Sequence, residues 1–100
     1  MELSVMCIHK DKFIMFQVKG GWIVYNTTKQ FEKGHTHLRS KSSALAAINF
    51  VLLEKLPRRS SNYYLISLIR ISDNPEYVAK VNQLMETRRS KGKKQEYYNR

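Results

Sequence analysis

The chain has 100 residues, and its 18 Lys and Arg outnumber its 8 Asp and Glu, which gives a formal net charge of +10. A chain of this length can bury a core of its own, and 42% hydrophobic residues are typical of a globular protein rather than a disordered one. The single cysteine excludes an intrachain disulfide. Because we find neither a signal-peptide pattern nor an apolar run long enough to span a membrane, we expect a cytoplasmic protein.

The first part of the chain alternates strand-forming segments with turn residues. Leu3–Ile8 and Phe13–Val18 predict two strands, with the polar segment His9–Lys12 as the turn between them. After the turn signal Gly20-Gly21, the aromatic and β-branched run Trp22–Tyr25 predicts a third strand. These segments predict an antiparallel hairpin or a three-stranded meander.

Helical patterns begin after residue 39. Ser40, Ser42 or Ser43 can cap a helix whose interior, Ala44–Leu53, is apolar nearly all round and which ends before Pro57. The next segment, Tyr63–Ile71, suits either a strand or a short helix, and we favour the helix because capping residues precede it. We expect Tyr63 and Tyr64 to pack in the core.

A third helix is predicted from the start signal Ser72–Glu76, and its apolar positions recur at helical spacing. We expect it to end near Arg89, because Gly92 and the like charges around it disfavour a helix. The chain therefore predicts an α+β fold, with one compact domain over residues 1–90 and a basic, flexible tail over residues 91–100. A winged-helix-like arrangement is compatible with this order, with the hairpin as the wing and Lys80, Gln83 and Thr87 facing DNA.

Positive charge is concentrated in two blocks, and it is the main indication of function. One block surrounds the first predicted helix, and the second follows the last predicted helix. Clustered cations without matching acids attract polyanions, above all nucleic acid. Arginines that precede a helix add bidentate phosphate geometry to the positive end of its dipole, and tyrosines beside them can stack on unpaired bases. The candidate nucleic-acid-binding residues are Arg39, Lys41, Arg58, Arg59, Arg88, Arg89, Lys91, Lys93, Lys94, Tyr97 and Tyr98.

No convincing catalytic or metal-binding constellation is present. Thr27–Leu38 is predicted to be a connecting loop, and it contains His35 and His37, which point the same way if the loop is extended. Their spacing from Cys7 and His9 fits no standard zinc pattern, and we expect Cys7 to lie in the core. The carboxylates are scattered. We therefore expect neither an enzyme nor a protein with a metal or cofactor.

The segments Gly34–Leu38 and Ser67–Ser72, with Pro57 between them and the closing Tyr97-Tyr98-Asn99, provide a further indication. Over roughly residues 34–99 the chain resembles small basic proteins carried by phages and mobile genetic elements of Gram-positive bacteria. The resemblance implies an accessory to a helicase, polymerase or recombinase, and it implies no functional residues.

These observations together predict a small accessory protein that binds the phosphate backbone of nucleic acid during replication or mobile-element maintenance. Single-stranded or structured DNA is favoured over RNA, and no membrane partner is expected. The alternative is a protein-interaction subunit that docks on and activates a replication or recombination enzyme, such as a polymerase or helicase. A third hypothesis is a small ribonuclease or toxin that uses His35 and His37. Oligomeric state is left open.

Overall fold

Four antiparallel strands form a single sheet, followed by three helices, in a computed structural model that describes the backbone of residues 7–98 and the side chains of residues 7–89. The strands lie in the order β1 (Cys7–Lys10), β2 (Phe13–Val18), β3 (Gly21–Asn26) and β4 (His35–Leu38). A single-turn helix, α1 (Phe31–Gly34), precedes β4, and the longer helices are α2 (Lys41–Leu52), α3 (Asn62–Ile71) and α4 (Pro75–Tyr98). The predicted α+β class is confirmed.

The prediction of a loop over Thr27–Leu38 is wrong, because this segment forms α1 and β4. Along β4 the side chains of Thr36 and Leu38 are buried, whereas those of the two histidines face the other side of the sheet. The strand is short, so its alternation extends over only four residues, and its polar histidines conceal the pattern.

Helix α3 completes the hydrogen bonding of β4, which is an edge strand of the sheet. Arg70 Nε donates to the carbonyl oxygen of His35 at 2.7 Å, and the Tyr63 hydroxyl donates to that of His37 at 3.3 Å. Arg70 also donates through Nη2 to the carbonyl oxygen of Glu32, at 2.6 Å. The backbone acceptors of this edge are therefore bonded by α3 instead of being left open to another chain.

Two predicted boundaries and one predicted environment also differ from the structure. Helix α4 continues to Tyr98, well past the predicted end near Arg89, because a single glycine costs a helix only about 1 kcal/mol and the Lys, Gln and Glu beside it are good helix formers. Cys7 is exposed rather than buried, since it points away from the helices. The first strand continues to Lys10, past its predicted end at Ile8, because His9 and Lys10 pair with β2 instead of forming the turn. Its predicted start at Leu3 lies outside the described residues.

The core lies between one face of the sheet and the helices. The inward side chains of the sheet are Phe13 and Met15 of β2, Trp22 and Val24 of β3, and Leu38 of β4. Helices α2 and α3 cover this face with Ala44, Ala47, Ile48, Val51, Leu65, Leu68 and Ile71, and α4 adds Tyr77 and Val81. The sheet is therefore a layer of the core, which differs from a wing that projects from a helical unit.

Asn26, a fully buried polar residue, joins the end of β3 to the end of α3. Its Nδ2 donates to the carbonyl oxygen of Ile71 at 2.9 Å, and its Oδ1 accepts from the backbone amide of Thr28 at 2.9 Å. The Thr28 hydroxyl lies 2.7 Å from the same Oδ1 and 2.8 Å from Asp73 Oδ2. Both polar atoms of the buried Asn26 side chain therefore have hydrogen-bond partners.

Charged groups extend this connection between β3 and α3. Lys29 Nζ donates to the carbonyl oxygens of Arg70 and Ser72 at the end of α3, and burial lowers the pKa of its ammonium. Burial alone would raise the pKa of Asp73, but hydrogen bonds from Thr28 and Lys12 outweigh it and hold that pKa below its usual range. A cation at a helix C-terminus also interacts favourably with the helix dipole.

No helix in the described part of the chain is both long enough and apolar enough to cross a membrane.

Candidate nucleic-acid interface

The N-termini of α2 and α3 open on the same cleft. At the start of α2 the Ser40 hydroxyl accepts from the backbone amide of Ser43 at 3.1 Å, and at the start of α3 the Ser61 hydroxyl accepts from that of Tyr64 at 3.1 Å. Neither helix has an acidic residue in its first turn. The positive ends of both helix dipoles are therefore not neutralised by a carboxylate of their own helix, and they favour an anion.

The cleft consists of two adjoining cavities, of about 730 Å³ and about 570 Å³, and we call the two together the basic cleft. Ser43, Ser61 and Tyr64 line both cavities. The larger cavity also contains Lys19 and Arg39, and the smaller one contains Arg58 and Arg59. The fold thus brings together cations that lie up to 40 residues apart in the sequence.

The electrostatic character of the basic cleft is uniformly positive. Its four cations, Lys19, Arg39, Arg58 and Arg59, have exposed side chains, and among the side chains of residues 7–89 no Asp or Glu lines either cavity. Lys41, which is also exposed, lies in the first turn of α2 and adds a fifth charge next to Arg39. A site with this field concentrates phosphate groups, and arginine can bind them with two parallel hydrogen bonds.

The position of Lys19 depends on the glycines that follow it. Gly20 has a φ of +89°, which a glycine adopts without strain, and it allows the tight turn between β2 and β3. A Cβ atom at Gly21 would clash with the carbonyl oxygen of Leu38. The β2–β3 turn can therefore pack closely against the end of β4, which places Lys19 at the same cavity as Arg39.

Two tyrosines at the start of α3 have different environments. Tyr64 is half-buried, as predicted; its hydroxyl donates to the carbonyl oxygen of Ser43 at 3.1 Å, and burial raises its pKa. The prediction that Tyr63 packs in the core is wrong, because its side chain is 65% exposed at the larger cavity. The helix turns these neighbouring residues about 100° apart, so only one of them can face the core.

The second basic block is divided by the structure. Arg88 Nη1 donates to the carbonyl oxygen of Ser60 at 2.5 Å, which joins α4 to the connection that carries Arg58 and Arg59. Arg89 forms an exposed ion pair with Glu86 at 3.3 Å. Arg88 therefore lies near the basic cleft, although part of its guanidinium is engaged with the backbone. The other predicted binding residues of this block lie beyond the range of described side chains: Lys91, Lys93, Lys94, Tyr97 and Tyr98.

Ser60 lines the smaller cavity, but its hydroxyl is not accessible there. Its Oγ is buried and has no hydrogen-bond partner among the described residues. A buried hydroxyl without a hydrogen-bond partner costs about 1–3 kcal/mol, so this group lowers the stability of the connection between α2 and α3.

The histidines lie on the sheet face opposite the helices. His35 and His37 point to the same side of β4, as expected for an extended segment, and their ring centroids are 5.3 Å apart. The ring of Phe31 stacks on that of His35 at 4.1 Å. Within the described residues, no group of three or more His, Cys, Asp or Glu side chains is arranged to hold a metal ion.

Sequence analysis missed the contribution of Lys19, His37 and Tyr63 to the basic cleft. The missed signal is the alternation His35, Thr36, His37, Leu38, in which every second residue can be buried in a sheet. A fourth strand at this position would have placed Arg39 beside the β2–β3 turn.

Comparison with protein-family models, with curated proteins and with solved structures finds no match to the chain.

Proposed function

We propose that this protein is a small nucleic-acid-binding accessory protein that holds the phosphate backbone in the basic cleft. The observation that supports this function best is the convergence of Arg39, Arg58 and Arg59 with two helix N-termini in a cleft that is lined by no carboxylate of the described side chains. Each of these features favours phosphate separately, and together they provide several donors for successive phosphate groups.

The proposed ligand is DNA, single-stranded or structured, in replication or in the maintenance of a mobile element in the cytoplasm. The proposal of DNA over RNA relies on the resemblance to phage and mobile-element proteins. The exposed Tyr63 at the larger cavity supports a single strand, because an unpaired base can stack on an accessible aromatic ring.

Binding to the phosphate backbone predicts a steep dependence of affinity on salt. With about five phosphates neutralised, the logarithm of the association constant should fall with the logarithm of salt concentration with a slope of about −3.5 for a single strand and about −4.5 for a duplex. Fluorescence anisotropy of labelled DNA and RNA oligonucleotides, titrated with the full chain at several salt concentrations, measures both slopes.

Salt-insensitive binding would contradict a phosphate site, and so would a lack of binding to any oligonucleotide at low salt. In the second case we would infer that the positive surface binds an acidic partner protein. Leu53 and Leu56, which are 62% and 38% exposed at and beyond the end of α2, favour such a protein-interaction subunit as the second candidate.

A further inference from the structure

The sheet has a second face, opposite the core, that consists largely of apolar and aromatic side chains. The strand register places these side chains in two rows across β2, β3 and β4: Phe16, Ile23 and His37, and then Ile14, Tyr25 and His35. Helices α2, α3 and α4 pack against the other face. Helix α1 contributes Phe31 to this second face.

The aromatic rings of this face are accessible and already arranged for stacking. Phe31 is 44% exposed, lies parallel to the ring of His35 at 4.1 Å and meets the edge of Tyr25 at 5.2 Å. His37 is exposed, and Phe16 is half-buried in the same row. A planar base can therefore extend the existing stack without a rearrangement of the strands.

The charge and position of this face indicate which ligand it binds. None of the outward residues of the described strands is acidic. An unpaired nucleic acid strand on this face is therefore not repelled by carboxylates of the strands. His37 and Val18 belong to this face and also line the larger cavity of the basic cleft, next to Arg39 and Lys19. A chain whose phosphates lie in the basic cleft can thus continue directly onto the aromatic rows.

We infer that this sheet face binds the unpaired bases of a single strand whose phosphates are held in the basic cleft. The inference rests on the proposed function and narrows its ligand to single strands, because the bases of a duplex are stacked on each other and cannot reach the sheet. Antiparallel sheets that carry exposed aromatic rings bind single strands in this way, through stacking that every base can provide. The face supplies stacking, and the cleft supplies charge.

The contribution of the bases is measured with two oligonucleotides of equal length, oligo(dT) and the same backbone with abasic sites in place of its central bases. Both ligands carry the same phosphate charge, so binding by the cleft alone would not distinguish them. We expect wild-type protein to bind oligo(dT) at least about tenfold more tightly, with equal salt slopes for both ligands. The variant F31A, whose side chain lines neither cavity, should lose most of this preference and retain its affinity for the abasic strand.

Leu53→Ala is the matched control, since Leu53 is an exposed apolar side chain outside both surfaces. We expect it to keep the wild-type preference for oligo(dT). F31L, which keeps an apolar side chain at this exposed position, repeats the test if F31A is poorly folded by circular dichroism, and F31W should keep the preference.

Equal affinity of wild-type protein for the two oligonucleotides would overturn the stacking inference and leave the phosphate cleft intact. The absence of binding to both would overturn the proposed function as well. If this face instead binds a second copy of the chain, F31A would lower the solution mass without changing the base preference, which also contradicts the inference.

Discussion

The triple variant R39Q/R58Q/R59Q is expected to bind single-stranded oligonucleotides about 100-fold more weakly than wild-type protein at physiological salt. Each arginine loses a charge-assisted hydrogen bond, and a loss of about 1 kcal/mol at each of three positions amounts to about two orders of magnitude in affinity. The slope of log affinity against log salt should become shallower by about 2, because about three fewer counterions are released. Anisotropy titrations over a salt series measure both quantities.

The control for this variant is K33Q/K55Q/K80Q, which removes the same number of charges from exposed side chains that line neither cavity. We expect its affinity to remain within about threefold of the wild-type value, since these side chains line neither cavity and solvent screens exposed charges. Equal weakening of the two triple variants would mean that binding depends on net charge alone. The basic cleft would then not be the binding site.

Asn26→Ala is expected to lower the free energy of unfolding by about 3 kcal/mol. The substitution leaves the carbonyl oxygen of Ile71 and the backbone amide of Thr28 without their partner. Leaving buried polar groups unsatisfied costs about 1–3 kcal/mol each, and a small cavity adds to this loss. Urea denaturation followed by circular dichroism gives the difference in unfolding free energy.

Thr27→Ala, next in the sequence, is the matched control for Asn26→Ala. The Thr27 hydroxyl donates to the carbonyl oxygen of Lys12 at 2.8 Å on the exposed surface, where water can replace it. We expect a loss of less than about 1 kcal/mol. Comparable losses for the two variants would show that Asn26 does not hold β3 and α3 together as described.

Sequence analysis predicted the strands with long runs of β-branched and aromatic residues and the helices with clear start signals or apolar spacing. β2, β3, α2, α3 and α4 belong to this group, and the capping serines of α2 and α3 lie where the sequence places them. β4 was missed because its four residues give only two periods and include two histidines. Its stability comes from tertiary contacts, above all pairing with β3 and the hydrogen bonds of Arg70, which no local pattern can reveal.

The candidate site was predicted in its residue types but not in its geometry. The arginines at positions 39, 58 and 59 stand out because they precede helices without acidic first turns. Their convergence depends on how α2 and α3 pack against the sheet, and the participation of Lys19 depends on a strand that was not predicted. The aromatic sheet face was also missed because β4 was not predicted. Both of its rows end in a histidine of β4.

The most direct test of the basic cleft is an NMR titration of the ¹⁵N-labelled full chain with an unlabelled single-stranded oligonucleotide. We expect the largest amide shifts at the starts of α2 and α3, over residues 40–43 and 61–64, because these backbone N–H groups lie at the proposed phosphate positions. R39Q/R58Q/R59Q should show small shifts there at the same oligonucleotide concentration. Shifts confined to α4 beyond Arg88, with none at the two helix starts, would contradict the assignment of nucleic-acid binding to the basic cleft.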